Sequence, residues 1–319
     1  MNTRTATGVA AAVATELLYG VSFVFTKGAV GVLSPAALLA WRFTLALAVM
    51  GMLVAVRAIR LTLTRRTLGP LLLLAVFQPL LYYAAETLGV MRTTASEGGI
   101  LIAVIPVGVL VASWLVLGRP PSRRQVVGIL VTFAGVVATV AAGGVRAGFD
   151  PLGYVFLLGA VASYSLYAVF AERDTATTGL DKTFAMVSVG AVVFGAVALG
   201  EAAARGSVVD LLTLPVAHPE LIASIGYLAV GSSIGAFFCQ AVAIAHLGSN
   251  RYSTFIGLST VAALVAAGVV LGERLAPLQF VGTAVILLGV YVANAAPVPP
   301  TGSGRPLRAV VVPSATTVK

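Results

Sequence analysis

Charge is what this chain has little of. Only 10% of its 319 residues are Asp, Glu, Lys or Arg, against about 25% in a soluble domain. It has one cysteine, Cys239, which excludes an intrachain disulfide and reads as a small packing residue. It has two histidines, His218 and His246, and neither they nor the acidic residues show a paired metal-ligand spacing. No phosphate loop is present either. What is abundant is apolar: 59% hydrophobic residues and 34 glycines, with a mean hydropathy of +1.03. That composition excludes a water-soluble fold. The apolar stretches recur about every 30 residues, the spacing of consecutive membrane spans.

A net charge of +9 raises nucleic acid as a partner, but the basic residues lie between apolar segments and form no stripe along one face, so nucleic acid is excluded. Windows of about 20 residues place spans near 8–27, 36–56, 68–89, 94–117, 126–142, 152–171, 183–203, 221–243, 253–271 and 277–295. Glu16 interrupts the first stretch, which also exceeds a signal-peptide core in length, so it reads as a retained helix. With the N-terminus inside, the inner segments collect 14 of the 20 basic residues, among them Arg57, Arg60, Arg65, Arg66, Arg119, Arg123 and Arg124. The outer segments keep Lys27, Arg92, Arg146, Arg205 and Arg274, and Arg42 falls within a span. The positive-inside rule then gives a multi-pass protein of the inner (plasma) membrane with both termini cytoplasmic. Residues 297–319, rich in Pro, Thr and Ser, read as a disordered cytoplasmic tail.

Shifting the sequence by 154 positions lays 107–136 over 261–290 without a gap, and Gly118, Gln125, Gly128 and Gly135 meet Gly272, Gln279, Gly282 and Gly289. Hydrophobic composition alone does not align three glycines and a glutamine in one register. The chain therefore divides into a first repeat, 1–147, and a second, 148–296. Five spans per repeat is an odd number, so the second repeat enters the membrane from the opposite side. The expected fold is all-α and integral to the membrane, with ten transmembrane helices as two inverted five-helix repeats, an architecture of secondary transporters. The glycine pairs bring helices 5 and 10 into close packing or into contacts of a homodimer.

Tyr19, Gly20, Ser22, Phe23 and Lys27 in the first helix, Pro35, Arg42 and Phe43 in the second, Thr94, Ala95 and Pro106 in the fourth, and Leu271, Gly272, Glu273, Gln279, Gly282 and Gly289 at the end resemble the EamA-type branch of the drug/metabolite transporter superfamily. The resemblance covers 8–295. Arg119 stands where that family usually carries Glu, and Thr260 where it carries Pro. The resemblance implies a carrier of small metabolites such as amino acids, often an exporter, working by alternating access and holding no cofactor.

Ionisable groups inside the bilayer cost at least a few kcal/mol and face a protein interior or a water path. Glu16 shares a helical face with Tyr19, Gly20 and Phe23, where it could exchange a proton as the site opens and closes. Arg42 has two competing roles, counter-ion to Glu16, Glu86 or Glu97, or contact for an anionic group of the substrate. Glu86 and Glu97 fit a hydrated vestibule rim. Gln78 beside Pro79 marks a polar patch at a bend, and Tyr82, Tyr83, Tyr164, Tyr167, Phe237 and Phe238 supply paired aromatics that either pack or enclose a substrate. The expected substrate and proton pathway is thus Glu16, Tyr19, Phe23, Arg42, Gln78, Tyr82, Glu86, Glu97, Tyr164, Tyr167, Phe237 and Gln240. Gly231, Ser232, Ser233, Ile234 and Gly235 spell a nucleophile-elbow pattern, but inside a span, without the strand-to-helix turn it needs. The chain is expected to be no enzyme. A membrane hydrolase and a non-transporting scaffold are the rival readings.

Overall fold

Long apolar runs without interior breaks can satisfy their backbone in lipid only as helices, and the computed structural model is helical in every element. It describes residues 3–118, 120–144, 150–274 and 276–294. Arg119, Arg146, the boundary at 147/148 and the expected tail lie outside the described residues. Eight helices are long and apolar enough to cross a membrane. They are α1 (Thr3–Val30), α2 (Pro35–Ala55), α3 (Arg65–Arg92) and α4 (Ala95–Leu117), and then, after α5 (Arg123–Gly144), α6 (Pro151–Arg173), α7 (Gly179–Ala204), α8 (Leu221–Leu247) and α9 (Ser249–Val270). A shorter apolar helix, α10 (Pro277–Asn294), closes the chain. A short helix at Val208–Ala217 lies between α7 and α8. Large apolar side chains such as Leu115, Phe133, Val192, Val269 and Tyr291 point outward, as a lipid-facing surface requires.

The helices pair as α5 with α10, α2 with α7, α1 with α8 and α9, and α6 with α3 and α4. The α5–α10 crossing is set by glycine. A Cβ on Gly135 would lie 2.7 Å from the Ile286 nitrogen, and one on Gly289 would lie 2.4 Å from the Thr132 nitrogen. Both glycine pairs singled out in the sequence are therefore consumed inside one chain, by each other's helices.

Contacts recur in pairs. Gly20 on α1 stands against Ala262 on α9, and Ser165 on α6 stands against Gly108 on α4. Gly8 packs on His246 and Leu247, and Gly153 packs on Arg92 and Thr93. Gly20 and Ser165, like Gly8 and Gly153, are 145 positions apart, while the partner residues follow the shift of 154. Each half thus repeats the other's packing, with α1 and α6 exchanging roles. The ends of these two helices are opposed. The start of α1 meets the α8–α9 corner and the start of α6 meets the α3–α4 corner, whereas the ends meet the other corners: Lys27 of α1 bonds Val90 and Glu172 of α6 bonds Ser249.

Two helices depart from α geometry at their centres. In α3 the helix breaks within Val76–Leu81, where Gln78 is extended at φ −141°, ψ 116° and the chain kinks. In α8 the stretch Tyr227–Ala236 is π-helical. The kink and the widened turns leave backbone carbonyls short of partners, and these are met from neighbouring groups. Ser163 donates to the Phe77 carbonyl at 2.9 Å, and Ser233 donates to Leu228 at 2.9 Å. Irregular backbone at membrane depth is tolerated only where protein or a cavity covers it, and π-bulges collect at functional sites. Gln78 and Ser232, 154 positions apart, sit at the α3 kink and on the α8 bulge.

Candidate functional site

The α3 kink and the α8 bulge face a continuous hydrogen-bonded network that α1, α3, α6, α8 and α9 assemble. Tyr252 donates to the Glu16 carboxylate at 2.6 Å and lies 3.0 Å, hydroxyl to hydroxyl, from Tyr164. Gln240 is the hub: its Nε2 donates to the Tyr164 hydroxyl at 3.0 Å and to Gln78 Oε1 at 3.2 Å. Its Oε1 accepts from the Tyr19 hydroxyl at 2.5 Å. Gln78 Nε2 returns to the Tyr19 hydroxyl at 3.2 Å. Tyr19 and Tyr164 are 145 positions apart, so one amide is held between the corresponding tyrosines of the two halves. All six side chains are buried, none more than 9% exposed.

Arg42 enters beside this network from α2. It is 1% exposed. Its Nε donates to Ser233 at 2.7 Å, one Nη donates to Ser232 at 2.8 Å, and the guanidinium lies 3.9 Å from the centre of the Tyr83 ring. Glu86 is equally buried and acts on Arg42 across space. Among the described residues, however, neither Glu86 nor Glu16 comes within 4.0 Å of a cation, and Arg42 has no carboxylate at that distance. Three buried ionisable side chains therefore share one region without a direct ion pair. The direct counter-ion role expected for Arg42 is filled instead by two hydroxyls and an aromatic face, which stabilise a cation without neutralising it.

Aromatic rings line the region. Tyr82 packs edge-on to Tyr83 at 4.8 Å and tilts against Tyr164 at 5.5 Å, and Tyr164 meets Tyr167 at 5.9 Å. Phe237 lies 5.8 Å from Tyr83. Among the described residues the buried Tyr167 hydroxyl has no hydrogen-bond partner, whereas the Tyr83 hydroxyl lies toward Ser232 and Tyr19. An unpaired buried hydroxyl costs about 1–3 kcal/mol.

The expected pathway residues thus divide. Glu16, Tyr19, Gln78, Tyr164 and Gln240 form the network, with Arg42, Tyr82, Glu86, Tyr167 and Phe237 around it. Phe238, on the opposite side of α8, is 38% exposed and takes no part. Phe23 packs toward the end of α1, where a Cβ on Gly98 would lie 3.0 Å from its ring. Glu97 serves as a cap. It accepts from the Thr94 nitrogen at 3.1 Å and from Gln279 Nε2 at 2.8 Å, and Thr94 in return accepts from the Glu97 nitrogen. Glu86 and Glu97 are 1% and 4% exposed, so neither lies on a hydrated rim in this structure. His246 is exposed and bonds the Val242 carbonyl of its own helix.

Sequence reasoning missed Tyr252, Ser232 and Ser233. Tyr252 falls in Ser249–Ser253, a helical turn read from sequence as lying ahead of the ninth span. The two serines were legible only as a hydrolase pattern, and here they hold Arg42.

Known proteins resemble this chain over most of its length. The sequence pattern of the EamA-like transporter family matches residues 6–141 and again 151–295, the two halves whose contacts repeat. Uncharacterized transporter YcxC of Bacillus subtilis (strain 168) is 30% identical over 286 residues, 89% of this chain and 91% of that protein. Uncharacterized transporter YyaM of the same organism is 25% identical over 288 residues, 88% and 90% of the two chains. An uncharacterized transporter of Archaeoglobus fulgidus is 22% identical over 278 residues, 87% of this chain and 95% of that one. A solved crystal structure shares the fold, with a TM-score of 0.58 at 18% identity over 92% of this chain and 97% of that one. These relatives are named as transporters, and the apolar helices that carry the site make this a multi-pass membrane protein. The chain belongs to the EamA-like transporter family, within the drug/metabolite transporter superfamily.

Proposed function

We propose that this protein is a secondary active carrier that moves small polar metabolites by alternating access, with no cofactor and no enzymatic step. The reading places ten helices across the inner membrane, α5 and α10 completing the eight longer spans, in two repeats of inverted orientation with both termini cytoplasmic. The opposed ends of α1 and α6 and the exchanged contacts of Gly8, Gly20, Gly108 and Gly153 support the inversion. Two equivalent halves can exchange conformations and open a shared site to each side in turn.

The observation that carries this function is the set of buried, unpaired charges. Arg42, Glu16 and Glu86 lie within membrane-spanning helices, each about 1% exposed, and intramembrane ionisable groups mark substrate and ion pathways. An arginine and a glutamate that face one region without touching suit a small zwitterion, its carboxylate on the guanidinium fork and its ammonium on Glu86. The Tyr167 hydroxyl, unpartnered among the described residues, would take a further polar contact. Amino acids and related compounds have this chemistry. Glu16, tied to the hub through Tyr252 and Tyr164, is the carboxylate placed to couple movement to a proton, and net export is the direction that fits the family resemblance.

The test is flux in proteoliposomes over pools of amino acids, nucleobases, sugar derivatives and cationic drugs, with and without an imposed pH gradient. Saturable movement of a zwitterion, accelerated by the gradient and insensitive to it in Glu16→Gln, is the expected result. Movement of uncharged compounds alone would exclude the zwitterion reading, and no movement across all pools would exclude the carrier.

A further inference from the structure

The two ends of the bundle are fastened by side chains of opposite charge at corresponding positions. Lys27 stands in the last turn of α1, and its Nζ donates to the carbonyls of Val90 at 2.9 Å, Met91 at 3.4 Å and Thr93. Those carbonyls end α3, and free carbonyls at a helix C-terminus attract a cation. Glu172 stands in the last turn of α6, 145 positions after Lys27. Its Oε2 accepts from the Ser249 nitrogen at 3.1 Å and from the Ser249 hydroxyl. Ser249 opens α9, and free amides at a helix N-terminus attract an anion. One helix end therefore grips the α3–α4 corner with a cation, and its counterpart grips the α8–α9 corner with an anion. The first corner has a second fastening: Glu273, after α9, accepts from the Ala95 and Ser96 nitrogens at the start of α4, both at 2.9 Å.

We infer that Lys27, with Glu273, and Glu172 are the latches of two opposite gates, and that opening either side of the path requires releasing its own latch while the other holds. The inference rests on the carrier reading, because only a site reached alternately from two sides needs two such closures. With both latches made and the Glu16–Gln240 network buried between them, the conformation described here is the occluded one. In the orientation the basic residues give, the Glu172 side faces the cytoplasm and the Lys27 side the exterior.

The test reads access directly. In full-length protein in nanodiscs, with Cys239→Ala as background, Ser22→Cys and Ser253→Cys report on the two sides. Both positions are buried, one to two turns below Lys27 and Ser249 respectively. Their reaction with a membrane-impermeant maleimide is timed. Lys27→Met removes three hydrogen bonds and is expected to speed labelling at Ser22→Cys at least about tenfold, the shift that losing one charge-assisted hydrogen bond alone would give, and to leave Ser253→Cys unchanged. Glu172→Gln is expected to do the reverse. If either variant fails to fold, Glu273→Gln and Ser249→Ala, which remove fewer bonds, replace them with the same expected directions. Both reporters speeding up together, or neither changing, overturns the latches. The labelling needs no substrate, so the latches can fail while flux persists, and flux can fail while the latches stand.

Discussion

Replacing Gln240 by Leu should disable the central network without opening a cavity, because the two side chains are close in volume. The amide makes three hydrogen bonds, one accepted from Tyr19 and two donated to Gln78 and Tyr164. In Gln240→Leu the Tyr164 hydroxyl keeps Tyr252, and Tyr19 still accepts from Gln78. The Tyr19 proton and Gln78 Oε1 are left without their present partners. Two buried groups orphaned at about 1–3 kcal/mol each give a loss of about 2–6 kcal/mol. Some of it falls on stability, seen as a lower unfolding temperature in detergent, and the remainder on the occluded state that the network organises. Gln240→Glu retains the acceptor facing Tyr19 but sets a second acceptor against Gln78 Oε1, so it should fall between Leu and the parent in stability. The readouts are thermal unfolding followed by tryptophan fluorescence and initial flux in proteoliposomes. A Gln240→Leu protein as stable and as active as the parent would refute the claim that these bonds matter to either property.

Three further outcomes follow from the packing and the surface. Gly289→Ala should destabilise by about 1–3 kcal/mol, as overpacking does, since its Cβ would lie 2.4 Å from Thr132. Gly159→Ala, with nothing within 4 Å, should instead gain up to about 1 kcal/mol of helix propensity, and paired unfolding curves compare the two. Arg42→Lys keeps the charge but cannot reproduce the fork that reaches both Ser232 and Ser233, so flux should fall at least tenfold, the equivalent of about 1.4 kcal/mol, while the protein still folds. Asp150, at the start of α6, is held below the usual carboxylate range by the Arg92 guanidinium 2.9 Å away. Because that folded value lies below the unfolded one, its small contribution is present above about pH 4 and fades as the pH drops further. Unfolding curves of Arg92→Gln and the parent should therefore converge on acidification and stay furthest apart near neutrality.

Eight of the expected spans and one internal register could be read from the chain because both are linear properties: runs of apolar residues, and a segment from the fourth to the fifth helix whose connecting loop has the same length in each half. The register of α1 against α6 could not, since it differs from the other by nine positions and rests on contacts such as Gly8 with His246. The site was legible residue by residue at Glu16, Tyr19, Gln78 and Gln240, polar groups stranded in apolar helices. What they bond to was not legible. Tyr252 lies 236 positions from Glu16, and Ser232 and Ser233 lie about 190 from Arg42. Glu97 carried a readable signal, Thr94 followed three residues later by an acid, the signature of a capping box, and its burial among spans obscured it. Lys27, Glu172 and Glu273 fell in short loops or helix ends where a charge usually meets water. The helix termini that they cap are supplied by other parts of the chain.

The most direct test is zwitterion flux in proteoliposomes holding the parent, Arg42→Met or Gln240→Leu, each shown to be folded. Cargo binding at Arg42 and the Gln240 network predicts saturable flux in the parent and near-background flux in both variants. Equal flux in all three would mean that cargo passes elsewhere, and the buried charges would then be structural only.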